Sequence, residues 1–143
     1  MHVTAFAPAT VANVAVGFDL LGFAVDVLGD RVTLTQGEPG IRVVIQGLED
    51  SSAIPTDPAK NTATVGLLAL IDDLDCDFGF DVHVDKGIPL GSGLGGSAAS
   101  AVASIVAAND LLGSPLTQAK MLHYALMGEA VASGSAHPDN AAP

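Results

Sequence analysis

Tryptophan is absent and tyrosine occurs once in the 143 residues. Aromatic residues make up 4% of the chain although hydrophobic residues make up 49%. The core must therefore be assembled from alanine, valine, leucine and isoleucine rather than from large rings. A single cysteine, Cys76, excludes an internal disulfide and points to a reducing, cytoplasmic setting. It lies between Asp75 and Asp77, whose charges disfavour a thiolate, so it reads as chemically inert. Bases are also scarce, 5 against 16 acids, for a net charge of -11. That balance argues against nucleic-acid binding. It also repels polyanions at long range, so any anion site has to rely on local N–H dipoles and a divalent cation. Adaptation to high salt and an ordinary acidic character both remain open as readings of this surplus.

Long apolar runs are missing too. Two stretches carry little or no charge, Met1–Phe18 and Gly87–Asn109. The first is broken by Pro8 and Asn13 and lacks a basic start, so neither a signal peptide nor a membrane span is expected there. The second opens on glycines, and its apolar segments are too short to span a bilayer. The length suits one domain with a real core.

What is present in abundance is glycine, at one place. Lys86 to Ser104 reads KGIPLGSGLGGSAASAVAS. The alternating segment Phe80–Asp85 before it predicts a strand, and the alanine-rich run Ala98–Leu112 after it predicts a buried helix. Gly91, Gly93, Gly95 and Gly96 fall between them, with Ser97 at the helix start. Glycines let a ligand approach the backbone, and a helix N-terminus offers unpaired N–H groups and a positive dipole end. Together they predict an anion site, most naturally for phosphate. A flexible linker has a similar composition. No lysine follows the glycines, which excludes a Walker-type loop. A G-x-G-x-x-G runs from Gly91 to Gly96, but Asp110 falls inside the following helix, which argues against a dinucleotide fold. Lys86 is the one base nearby; it suits a phosphate oxygen and equally a solvated strand end.

Elsewhere, Val3–Ala7 predicts a short strand ended by Pro8. Asn13 and Asp19 interrupt an apolar run, either as turn residues or as a polar pair beside a pocket. Phe23–Leu28, a Gly29-Asp30 turn and Arg31–Gln36 predict a hairpin, and Ile41–Gln46 a further strand. Leu48–Lys60 is a proline-bearing loop. Asn61–Leu74 predicts an amphipathic helix capped by Asn61, with Val65, Leu68 and Ile71 on its face and Leu67, Leu70 and Leu74 widening it. Gly113-Ser-Pro115 ends the alanine-rich helix. The next runs from Leu116 to about Val131, with Thr117 as a cap and Ala119, Leu122, Leu126 and Ala130 on one face. Glu129 lies near its C-terminus, where a carboxylate opposes the helix dipole, a mismatch that favours a task for it.

Three ordered motifs carry a resemblance. Pro89 to Ala99, PLGSGLGGSAA, resembles the phosphate loop of the GHMP kinases, with Gly96 where that family usually has a first serine. Pro8 to Gly22 resembles the opening of the homoserine kinases within that family, with Ala15 replacing a glycine. Ser133 to Pro143, SGSAHPDNAAP, is similar to a third signature of the same branch. The resemblance implies an α+β fold like domain 2 of ribosomal protein S5, a mostly antiparallel sheet with helices on one side. Residues 1–143 would form the amino-terminal, ATP-binding domain. A carboxy-terminal ferredoxin-like domain, with the arginines that hold the substrate carboxylate, is absent from this chain. The implied reaction is phosphoryl transfer from Mg-ATP to the hydroxyl of L-homoserine, in threonine biosynthesis. Pro89, Leu90, Gly91, Ser92, Gly93, Leu94, Gly95, Gly96, Ser97, Ala98 and Ala99 would bind ATP, with Asn61 near the adenine. Ser97 and Glu129 would ligate Mg²⁺. Asn13, Asp19, His137 and Asn140 would hold the substrate, Asp139 would orient its loop, and Asn140 and Lys86 would serve catalysis. The γ-phosphate itself is the expected acceptor of the hydroxyl proton. The full-length protein is expected to be a cytoplasmic homodimer with no nucleic-acid or membrane partner. Turnover by this chain alone stays open. So do two rival readings: a kinase for another small alcohol such as mevalonate or shikimate, and a non-catalytic nucleotide-binding domain.

Overall fold

The computed structural model describes residues 1–12, 22–133 and 140–142. Among the described residues four strands and three helices follow one another: β1 (His2–Val11), β2 (Phe23–Gly37), β3 (Ile41–Gln46), α1 (Thr62–Asp73), β4 (Gly79–Asp85), α2 (Gly96–Leu111) and α3 (Gln118–Ser133), with a short 3-10 turn at Glu49–Ala53. The sheet order is β1-β2-β4-β3. β1 and β4 pair antiparallel with β2, and β3 runs parallel to β4. This is the expected α+β arrangement. Phe80, Val82 and Val84 alternate with Asp81, His83 and Asp85; the first set is buried and the second is not. Val32 and Leu34 of β2 face the same side, so one face of the sheet carries the core. The helices cover that face, with α2 against β1, β2, α1 and α3. As its composition requires, α2 fits there with small residues: Ala98, Ala99, Ala101, Ala103, Ala107 and Ala108 are all buried.

Two expectations about the strands are corrected. β1 continues through Pro8 to Val11. Among the described strands it lies at the edge, and its register shifts directly after Pro8, where the missing N–H costs no ladder bond. Gly29-Asp30 is not a turn, because β2 is one strand from Phe23 to Gly37. Gly29 passes so close to the Ala7 carbonyl and the Phe6 ring that a Cβ there would overlap both. The local turn signal loses to this packing.

The helix boundaries follow their caps. Asn61 accepts from the Ala63 N–H at 2.9 Å and opens α1. The helix ends in a Schellman motif, with the Asp75 N–H on the Asp72 carbonyl, the Cys76 N–H on that of Ile71, and Asp75 at φ 50. α2 ends the same way around Gly113. Thr117 caps α3 through the Lys120 N–H at 3.3 Å. The faces differ from expectation. On α1, Ala63, Thr64, Gly66, Leu67 and Leu70 are buried while Leu68 and Leu74 are exposed. On α3, Tyr124, Ala125, Gly128 and Glu129 are buried and Ala119 is exposed. The cause is a close approach of the two backbones. A Cβ on Gly66 would strike the Tyr124 carbonyl, and one on Gly128 the Thr62 carbonyl. The helices meet along a glycine seam, which leaves Leu67 and Leu70 inside and turns Leu68 and Leu74 outward. Tyr124 closes the contact by donating to Asp73 at 2.8 Å; burial, and then this bond, push its hydroxyl pKa up, so it stays a donor at neutral pH.

Burial, and then the carboxylates of Asp77 and Asp75, push the Cys76 thiol up as well. The thiolate is the nucleophile, so Cys76 is expected to react with iodoacetamide at pH 7 several-fold more slowly than a small exposed thiol. An equal or faster rate would contradict this environment.

Candidate functional site

The chain leaves β4 at Asp85, crosses the glycine loop and enters α2 at Gly96. Gly91, Gly93 and Gly95 all have left-handed φ, at 69, 72 and 67. A Cβ on Gly91 or Gly93 would meet nothing within 4 Å, so the loop presents bare backbone to open space. Gly95 is the N-cap of α2 and caps it with no side chain. The N–H groups of Gly96, Ser97 and Ala98 therefore stand at the positive end of the helix dipole without intrahelical acceptors.

These elements enclose a cavity of about 370 Å³ lined by loop residues Pro89 to Gly95, by Gly96 and Ser97, and by Ala12, Glu129 and Asn140. The Ser97 hydroxyl donates to Glu129 Oε2 at 2.7 Å. Glu129 is only 6% exposed. Its position near the end of α3 is unfavourable by that helix's own dipole, but it faces the N-terminus of α2, whose dipole favours it. The mismatch visible in the sequence is thus offset by tertiary placement. Two hard oxygen ligands lie side by side here, a set that suits a cation completing its shell with phosphate and water. Among the described residues no group of three or more His, Cys, Asp or Glu side chains converges, and Glu129 is the one titratable side chain in this lining.

Asn140 reaches the same cavity, and its Oδ1 accepts from Thr10 Oγ1 at 2.7 Å. The Thr10 N–H donates to the Leu94 carbonyl at 3.0 Å. Thr10 therefore ties the loop to Asn140. It falls within the Pro8–Gly22 motif, but no role was read for it there.

Three expected site residues sit elsewhere. Asn61 is 2% exposed, and both ends of its amide are used, Oδ1 by Ala63 and Nδ2 on the Pro55 carbonyl at 2.6 Å. It caps α1 and does not line this cavity. The Ala99 N–H is already bonded to the Gly95 carbonyl at 2.9 Å, and its side chain is buried. Lys86 is 5% exposed and turned inward. Its Nζ donates to Asp30, to the Gly96 carbonyl at 2.8 Å and to Ser100 Oγ at 3.0 Å. Three donors meet three acceptors, which leaves none for a phosphate oxygen. Asn13, Asp19, His137 and Asp139 lie outside the described residues.

A larger cavity of about 500 Å³ opens between α2 and α3. Val102, Ile105, Val106, Met121, Leu122 and Ala125 make it apolar, and it holds no titratable side chain. Size does not make it the chemical site.

A family model described as the GHMP kinases N terminal domain matches residues 61–143. The chain is 53% identical over 141 residues to a homoserine kinase of Xylella fastidiosa, covering 97% of this chain and 43% of that protein. A crystal structure of homoserine kinase from Cytophaga hutchinsonii superposes with a TM-score of 0.92 at 45% identity, over 99% of this chain and 45% of that one. The chain thus spans less than half the length of these relatives. A mevalonate kinase of Methanococcus jannaschii matches with a TM-score of 0.69 at 18% identity, covering 99% of this chain and 49% of that one, which is a likeness of fold alone. No described helix is long and apolar enough to cross a membrane.

Proposed function

Because the chain belongs to the GHMP kinase N-terminal domain family, we propose that it is the nucleotide-binding part of an enzyme that transfers a phosphoryl group from Mg-ATP to the hydroxyl of L-homoserine. One observation carries the nucleotide half of this reading. The unpaired N–H groups of α2, the bare backbone of Gly91 and Gly93 and the Ser97–Glu129 pair open into one cavity. The homoserine half is supported by relatives of that name over nearly the whole chain.

Each part has a physical task. Loop and helix N–H groups hold phosphate oxygens with fixed dipoles, which need no reorganisation as charge develops. Ser97 Oγ and the Glu129 carboxylate would hold Mg²⁺, which neutralises phosphate charge when bound. Asn140, fixed by Thr10, directs a neutral amide into the cavity where the acceptor alcohol would sit. Asn13, Asp19 and His137 are assigned to the substrate by their motifs, with the Asp19 carboxylate meeting its ammonium group. With Glu129 committed to Ser97, the hydroxyl proton passes to a γ-phosphate oxygen. Catalysis is then positioning and electrostatics.

Residues 1–143 are read as one domain, completed by a carboxy-terminal domain that carries the remaining substrate contacts. Fused to the carboxy-terminal half of a homoserine kinase relative, the chain is expected to release ADP in a homoserine-dependent manner, and not with mevalonate or shikimate. Equal turnover with mevalonate, or none with any alcohol from a folded fusion, would count against the assignment.

A further inference from the structure

Beneath the loop lies a charged cluster that the proposed chemistry does not use. Asp30 is fully buried in β2, and its carboxylate makes four hydrogen bonds. Oδ1 accepts from the backbone N–H of Gly87 at 3.0 Å and of Ile88 at 3.1 Å. Oδ2 accepts from Ser100 Oγ at 2.6 Å and from Lys86 Nζ. Lys86 Nζ also donates to the Gly96 carbonyl at 2.8 Å. Gly87 and Ile88 lead into the glycine loop, whereas Gly96 and Ser100 belong to the first turns of the helix that follows it. One carboxylate on a central strand thus ties down both ends of Pro89–Gly95.

We propose that Asp30 is a positioning residue for the glycine loop, acting through Lys86 and Ser100 as a clasp that fixes the loop's two ends against β2. The physical need is clear from the loop itself. It is rich in left-handed glycines that cost much conformational entropy to order. Within it, the Ser92 N–H on the Pro89 carbonyl at 3.3 Å is a weak restraint. Preorganised N–H dipoles are effective only when held. A fully satisfied buried network is rigid, and every donor of Lys86 and both oxygens of Asp30 are satisfied here. Lys86 then acts from below the loop rather than on the nucleotide.

The inference rests on the phosphate-loop reading only for its consequence in binding, so it has two separate readouts. The first is amide hydrogen exchange on the 143-residue chain, comparing the parent with Ser100→Ala and with the paired variant Asp30→Asn/Lys86→Met. The pair removes the Lys86 links to residue 30, Gly96 and Ser100 and weakens the acceptor of the Gly87 and Ile88 N–H groups, without leaving an unpartnered buried charge, which a single substitution would do. Exchange of the hydrogen-bonded amides of Gly87, Ile88, Ser92 and Ala99 is expected to rise by at least about tenfold in the paired variant, and less in Ser100→Ala, while amides of Val32, Leu34, Val82 and Val84 keep their rates. Unchanged loop rates, or an equal rise through the sheet, would overturn the clasp and leave Asp30 a plain contributor to stability. The second readout is Mg-ATP affinity, expected to weaken by about tenfold or more at an unchanged melting midpoint. If the parent chain binds no Mg-ATP, the nucleotide reading fails while the exchange result still decides the clasp.

Discussion

Gly95→Ala is expected to weaken Mg-ATP binding by about two orders of magnitude or more. Two costs combine. Gly95 sits at φ 67, where an L-residue costs roughly 1–2 kcal/mol. The added Cβ would also overlap Thr10 Oγ1 and come within 3.0 Å of Asn140 Oδ1. Relieving that contact means moving Thr10, which holds Asn140 at 2.7 Å and the Leu94 carbonyl at 3.0 Å. Losing those two bonds adds about 1 kcal/mol each. Gly91→Ala is the control. Its φ of 69 carries the same backbone cost, but its Cβ would meet nothing within 4 Å. Calorimetry should therefore rank the two variants clearly, with Gly91→Ala the milder. Equal losses would mean that the Thr10–Asn140 link is irrelevant to the loop.

Glu129→Gln is expected to remove the magnesium dependence of nucleotide binding. The substitution keeps size and a hydrogen-bonding oxygen for Ser97 but deletes the one charge in the described cavity lining. A hard divalent cation held by few protein ligands loses most from that deletion. ATP affinity in the presence of Mg²⁺ should fall by about 10–100-fold, the scale seen when groups supporting a metal are lost. Affinity measured with EDTA should hardly change, because the loop N–H groups remain. The fold should also hold, since a neutral amide is easier to bury than a carboxylate. A large fall under both conditions would instead make Glu129 a structural partner of Ser97.

The glycine loop was legible because its information is local. Glycine at alternate positions reports a backbone conformation that few other residues adopt, and Gly91, Gly93 and Gly95 adopt it. The caps were legible for the same reason: Asn61 and Thr117 bond within three residues of themselves. What stayed hidden depends on distant partners. Gly29-Asp30 has the composition of a turn, yet Asp30 is held in a strand by Lys86, 56 positions away. Leu67 and Leu70 of the expected α1 face are buried, but Leu68 and Leu74 of α1 and Ala119 of α3 were misplaced. The actual seam is built on Gly66 and Gly128, where the helices come closest. Lys86 could be read as a phosphate ligand or as a solvated end, and it is neither, because its acceptors come from β2 and α2. Thr10 lies in the Pro8–Gly22 motif, but its task could not be read there, as it exists only once Leu94 and Asn140 are beside it.

The central claim is that the loop, the start of α2 and the Ser97–Glu129 pair form a working nucleotide site within these residues. Titration of the folded 143-residue chain with ATP in a calorimeter, with and without Mg²⁺ and at low and high KCl, tests it most directly. The account predicts saturable one-to-one binding that Mg²⁺ tightens by about 10–100-fold, and a gain at high KCl if the acidic surface is a high-salt adaptation. A chain with a folded far-UV spectrum that takes up no Mg-ATP at any salt concentration would contradict it.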